Sequence, residues 1–108
     1  MSTLEIQQAL AELTQLNKRG VEALFEAEEE LAHAENDLDS VEARAFLDAE
    51  GSVAERQARA KLVSADARLR RDLAKASVNR IKTKLRSVES ELMAQATLAK
   101  IMQAEMRL

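Results

Sequence analysis

The chain has 108 residues, a formal net charge of −3, no proline, no cysteine and only two aromatic residues. This length allows one ordinary domain, and the absence of cysteine excludes disulfides, thiolate catalysis and cysteine-based zinc sites. Because strong helix formers fill most positions and no segment favours a strand, we predict a single all-α unit of residues 1–108 with a modest core.

The first predicted helix covers residues 3–49. Ser2 is followed three residues later by Glu5, which matches a capping box at a helix start. A seven-residue apolar repeat follows, and such a repeat is typical of the contact line between coiled-coil helices. Its members are Ile6, Leu10, Leu13, Leu24, Ala27, Leu31, Ala34, Leu38, Val41 and Ala45.

Asn17 and Gly20 interrupt this apolar repeat. Gly20 could mark a kink, a break or a point of close approach to another helix. If the chain folds back at its midpoint, Gly20 lies opposite roughly residues 82–85. No capping residue follows Gly20 directly, so we expect the helix to continue through it.

A turn is predicted at residues 50–52, near the middle of the chain. Gly51 is one of only two glycines, and glycine readily adopts the left-handed backbone conformation that ends a helix. Ser52 and Glu55 form a second capping box directly after it. The chain is therefore expected to reverse direction here.

The second predicted helix covers residues 53–106 and contains two apolar registers. One comprises Val78, Ile81, Leu85, Val88, Leu92, Ala99, Met102 and Met106, and the other Leu62, Ala65 and Leu69. These registers join only with an insertion, which predicts a change of supercoil and a packing defect at residues 70–77.

Charge is divided sharply between the two predicted helices. Residues 22–50 hold 11 acids against Arg44 alone, whereas residues 56–86 hold 11 bases against two acids. Opposite flanking charges select partner and orientation in coiled coils, so the pattern favours an antiparallel coiled-coil hairpin.

The basic run also supports an alternative hypothesis, a nucleic-acid accessory protein. Its candidate phosphate contacts are Arg68, Arg70, Arg71 and Lys75. No aromatic residue lies among these bases to stack on nucleotides, and a neighbouring acidic helix would cancel much of their field. We therefore favour charge pairing between the two helices.

The single histidine is a candidate metal ligand, because Glu30 and His33 have the Glu-x-x-His spacing of di-metal helical bundles. His33 flanks the apolar repeat rather than lying in it, so we expect a solvated side chain and no metal or other cofactor. The chain has no glycine-rich phosphate loop and no concave site to separate carboxylate pKa values. We therefore expect no enzymatic activity.

A second apolar stripe on the first helix predicts an interaction surface. It contains Leu4, Ala11, Phe25, Ala32 and Phe46. Two packed helices cannot cover this stripe and the apolar repeat together, so we expect self-association, as a four-helix-bundle dimer, or a protein partner. The predicted interface residues are Leu4, Leu24, Phe25, Leu31, Leu38 and Phe46.

The stretch RAFLDAEGSVAERQARA at residues 44–60, with QAEMRL at residues 103–108, resembles small α-helical hairpin proteins from the early regions of tailed-bacteriophage genomes. The resemblance implies a phage product acting in the host cytoplasm, near recombination or replication genes. It assigns no activity and no residue role to this chain.

The sequence thus predicts a self-associating, non-enzymatic adaptor, modulator or assembly element. No leader pattern and no long apolar run is present, so we expect a soluble, unprocessed, cytoplasmic protein that does not contact membranes.

Overall fold

The computed structural model describes residues 2–107; Met1 and Leu108, the ends of the predicted unit, lie outside the described residues. The described chain consists of helices and short connections. They are α1 (Thr3–Asp48), α2 (Val53–Val63) and α3 (Ala65–Met106). The predicted all-α class is confirmed.

At both predicted capping boxes the serine side chain caps the helix start. The Glu5 amide donates to Ser2 Oγ at 3.1 Å, and the Glu55 amide donates to Ser52 Oγ at 3.2 Å. Ser52 Oγ also donates to the Glu55 carboxylate at 3.1 Å. The two bonds from the glutamate amides satisfy donors that the first turn of a helix leaves without a partner. Gly51, with φ of 108°, lies between α1 and α2 in a backbone conformation that side chains disfavour.

The second half of the chain is not one helix, as predicted for residues 53–106, but two. The interruption falls at Ser64, whose φ of −90° and ψ of 6° depart from helical values. Ser64 Oγ donates to the Lys61 carbonyl at 3.4 Å and accepts from Arg68 Nη2 at 2.9 Å. Such local side-chain bonds compete with the helical backbone pattern. The break is short, since the Arg68 amide still donates to the Ser64 carbonyl at 2.9 Å.

The chain divides into two compact units. Unit 1 comprises residues 2–24 and 80–107, and unit 2 comprises residues 25–79. In unit 1 the buried apolar side chains are Ile6, Leu13, Leu85 and Val88. In unit 2 they are Ala27, Ala34, Leu38, Ala60 and Val78, together with the fully buried Ser64. Each core is therefore narrow, and three of the five buried apolar residues in unit 2 are alanines.

Burial along α2 and α3 follows one uninterrupted seven-residue pattern. We call its buried and half-buried members the seam of α2 and α3: Ala60, Ser64, Ala67, Arg71, Ala74, Val78, Ile81, Leu85, Val88, Leu92, Gln95, Ala99 and Met102. Their spacing alternates between four and three residues throughout. The predicted change of register at residues 70–77 is therefore wrong.

The seam of unit 2 differs from the predicted register because small and polar residues occupy it. Leu62 and Leu69, which suggested the second register, are 74% and 58% exposed. Ala67 and Ala74 occupy the seam instead, with Arg71 between them. The apolar stem of an arginine can cover such a contact line while its charged end reaches outward, and here Arg71 Nε donates to Asp72 at 2.8 Å.

Candidate interaction surfaces

Side chains of the predicted apolar repeat on α1 form the seam of that helix. Leu38 is 5% exposed, and Leu24 and Leu31 are half-buried. Three of the six predicted interface residues are therefore buried or half-buried within the chain itself. Leu4 and Phe25 are instead exposed, at 63% and 65%.

Phe46, the sixth predicted interface residue, is half-buried beside the turn. The guanidinium carbon of Arg56 lies 4.4 Å from the centroid of the Phe46 ring, which is cation–π geometry. Arg56 Nε also donates to the Phe46 carbonyl at 3.2 Å. Arg56 belongs to the basic run considered for phosphate contacts, but nothing in its spacing predicts the contact with Phe46. A surface groove of about 750 Å³ lies beside this contact and is lined in part by Phe46 and Leu47.

Gly20 brings α1 close to α3 in unit 1. A Cβ atom at this position would lie 2.5 Å from Leu85 Cδ2 and 3.1 Å from Leu85 Cγ. The Leu85 side chain thus occupies the space that any other residue at position 20 would fill. Helix α1 continues through Gly20, as predicted, and the interpretation as a close-approach point is confirmed.

Two polar side chains lie in the seams of unit 1 with buried oxygens. Asn17 Oδ1 and Gln95 Oε1 have no hydrogen-bond partner among the described residues. A buried oxygen without a partner costs stability. Polar residues at such positions can restrict helices to one register and one oligomeric state.

We expect Asn17→Leu to raise the melting temperature, because it removes an unsatisfied oxygen and adds apolar contact. The gain should be about 1–2 kcal/mol in unfolding free energy. Urea unfolding followed by circular dichroism measures it, with Gln15→Leu at an exposed position as the control. A loss of stability in Asn17→Leu but not in Gln15→Leu would show that the Asn17 amide makes a stabilising contact.

The four candidate phosphate-binding residues lie in unit 2. Arg68 donates to Ser64, Arg71 donates to Asp72, and Arg70 Nη1 lies 3.8 Å from Asp37 Oδ2. The last pair is solvent-exposed, so its contribution is small. Lys75 is exposed. A nucleic acid would therefore compete with contacts that three of these four cations already make.

His33 lies on the surface of unit 2. Its Nε2 is 3.8 Å from Glu29 Oε1, and both side chains are 76% exposed. The carboxylate near His33 thus belongs to Glu29 and not to Glu30. Among residues 2–107, no group of three or more histidine, aspartate or glutamate side chains is arranged to hold a metal ion.

The second register suggested by the sequence is a stripe of exposed side chains. We call Leu62, Ala65, Leu69, Leu73 and Ala76 the outer stripe. The three leucines are 74%, 58% and 61% exposed in chain order. These large apolar side chains therefore lie on one exposed face of unit 2.

Comparison of the chain with protein-family models, with curated proteins and with solved structures found no match. A scan of the three helices over their described residues found none with the length and apolar character needed to span a bilayer.

Proposed function

We propose that the chain is a non-enzymatic helical interaction protein that folds back at Gly51 as an antiparallel hairpin and self-associates as a four-helix-bundle dimer. The observation that carries the proposal is that each helix buries one narrow seam and leaves further large apolar residues exposed. Exposed examples are Leu4, Phe25, Leu62, Leu69, Leu73 and Met93. A second layer of helices would cover such residues.

Contacts within unit 2 support the antiparallel arrangement. Phe46 and Arg56 lie close to the turn on either side of it and contact each other. Asp37 and Arg70 lie farther from the turn on either side and are also close together. Residues at increasing distance from the turn therefore meet in order, as they do in an antiparallel pair of helices. The acidic balance of residues 22–50 and the basic balance of residues 56–86 favour the same pairing.

The small size of the core supports self-association. Ile6 and Ser64 are the largest side chains with less than 2% exposure among the described residues. Two helices joined by a narrow seam bury little apolar area for each residue whose backbone they order. A second copy would add buried apolar area, and no additional segment of the chain would have to be ordered to provide it.

The proposed role is that of an adaptor, modulator or assembly element with a protein partner. Exposed apolar residues that the dimer leaves uncovered would provide the partner's binding surface. On the resemblance to phage early-region proteins alone, we propose that this role is exercised in the host cytoplasm.

Sedimentation velocity over a concentration series tests the proposal, with a labelled DNA duplex and a labelled single strand tracked separately at low salt. We expect a dimer at the higher concentrations and DNA that sediments as if alone. A monomer throughout would contradict self-association. DNA carried with the protein and released by salt would instead favour the accessory hypothesis, and the triple variant Arg68→Gln, Arg70→Gln, Arg71→Gln should then abolish its binding.

A further inference from the structure

One side of α1 in unit 1 carries a row of residues that the chain itself leaves partly uncovered. Its members recur at intervals of three and four residues, so they lie on one face of the helix. Leu16, at the middle of the row, is 42% exposed, the charged members are exposed and the two alanines are half-buried. We call this row the lateral face: Ala9, Glu12, Leu16, Arg19 and Ala23.

Two surface grooves adjoin the lateral face. One, of about 350 Å³, lies between α1 and α3 and is lined in part by Leu16, Gly20 and Lys84. The other, of about 480 Å³, is lined in part by Glu12, Leu16 and Arg19. Because Leu16 lines both grooves, an apolar side chain placed beside it would fill space that the chain leaves open.

The lateral face is complementary to itself when a second copy of α1 runs in the opposite direction. Glu12 lies four residues before Leu16, and Arg19 lies three residues after it. An antiparallel copy centred on Leu16 therefore places Leu16 opposite Leu16, Glu12 opposite Arg19, and Ala9 opposite Ala23. A parallel copy would instead place Glu12 opposite Glu12 and Arg19 opposite Arg19. The charges therefore favour the antiparallel pairing.

The neighbouring charges of α3 do not oppose this pairing. Lys84 lines the same groove as Arg19, and Glu91, one heptad later, lies on the same side of α3. Together with Glu12 and Arg19, each copy presents two acids and two bases on this side, so the side carries no net charge.

The complementarity is confined to residues 9–23. The next position before this stretch is Glu5, and its counterpart after the stretch is Glu26, so two acids would face each other at each end. Packed helices cross at an angle, which separates residues far from the crossing point. The contact should therefore be centred on Leu16.

We infer that a second copy docks antiparallel on the lateral face, with Leu16 of each copy beside Leu16 of the other. This inference rests on the proposed self-association and assigns its contact surface. The same residues meet from both sides, as a twofold dimer requires. Leu16 is the apolar anchor, and the two pairs of Glu12 with Arg19 set the orientation of the helices.

Charge reversal at Glu12 and Arg19 tests the inference. Glu12→Arg alone places a base opposite Arg19 twice in the dimer, and Arg19→Glu alone places an acid opposite Glu12 twice. Each single variant should therefore dimerise about tenfold more weakly than the wild type. The double variant Glu12→Arg, Arg19→Glu regains two pairs of opposite charge and should dimerise like the wild type. An equimolar mixture of the two single variants should form a heterodimer for the same reason.

Sedimentation equilibrium at low salt measures these affinities, and far-UV circular dichroism verifies that the variants keep wild-type helicity. Lys18→Glu is the matched control. It makes the same change of charge as Arg19→Glu at an exposed position one residue earlier, about 100° away around the helix. It should dimerise like the wild type.

Wild-type affinity in either single variant would overturn the inference. Weak dimerisation that persists in the double variant or in the mixture would also overturn it, because Glu12 and Arg19 would then not face each other. Both results would leave self-association standing through another surface. A wild-type protein that is monomeric throughout would overturn both this inference and the proposed self-association, and would leave the lateral face to a different protein.

Discussion

Leu38→Asp is expected to unfold unit 2. Leu38 is 5% exposed in the seam of α1, and Asp37 and Asp39 adjoin it in the chain. The substitution removes buried apolar contact worth about 2–5 kcal/mol. It also buries a carboxylate without a partner. The combined loss is comparable with the whole stability of a small domain, roughly 5–15 kcal/mol. Circular dichroism at 25 °C and on heating should show reduced helicity and no cooperative transition.

Leu47→Asp is the matched control for this prediction. Leu47 lies on the same helix and in the same unit but is 73% exposed. Its substitution should change the unfolding free energy by no more than about 0.5 kcal/mol. If Leu38→Asp and Leu47→Asp melted alike, the seam of α1 would not be the stabilising contact line.

Because Gly20 contacts Leu85, we expect Gly20→Leu to lower the unfolding free energy of the wild type but to raise that of the Leu85→Ala variant. Leu85→Ala, in the seam of unit 1, should cost about 2–5 kcal/mol. Gly20→Leu in the wild type should be destabilising, because overpacking of about 1–3 kcal/mol exceeds the gain of about 1 kcal/mol in helix propensity. In the Leu85→Ala background the same substitution should be stabilising, since the new side chain fills the vacated space.

Urea unfolding of the wild type, the two single variants and the double variant measures this coupling. Helix propensity alone would make Gly20→Leu stabilising by the same amount in both backgrounds. That equality would show that Leu85 does not occupy the space above Gly20.

The helix starts could be predicted from the sequence because they depend on neighbouring residues. Ser2 and Ser52 accept hydrogen bonds from the amides of Glu5 and Glu55, and each bond spans only three residues. The turn at Gly51 can be predicted for the same reason, because it depends on the conformational freedom of that glycine alone. Local chemistry of this kind does not depend on what packs against the helix.

The register of α2 and α3 could not be predicted by following the largest apolar residues. Leu62, Leu69 and Leu73 are exposed, while alanines and Arg71 occupy the seam. In this part of the chain the positions of the largest apolar side chains do not coincide with the buried positions. The leucines outside the seam form the exposed outer stripe instead.

The contacts of Phe46 and Asn17 also depend on tertiary structure. Arg56 approaches Phe46 across a turn, so its position was not visible in the spacing of either helix. Asn17 was recognised as an interruption of the apolar repeat. That its side-chain oxygen is buried without a partner follows only from the packing of unit 1.

The distance between Ser40 and Ala65 tests the hairpin directly. Both residues are exposed in unit 2, and the chain has no cysteine, so the variant Ser40→Cys, Ala65→Cys can be spin-labelled at these two sites alone. Dilution with unlabelled protein restricts double electron–electron resonance to distances within one chain. The hairpin predicts one short distance, consistent with helix axes about 8–10 Å apart. A distance of about 35–40 Å, which 25 residues of continuous helix would span, would contradict it.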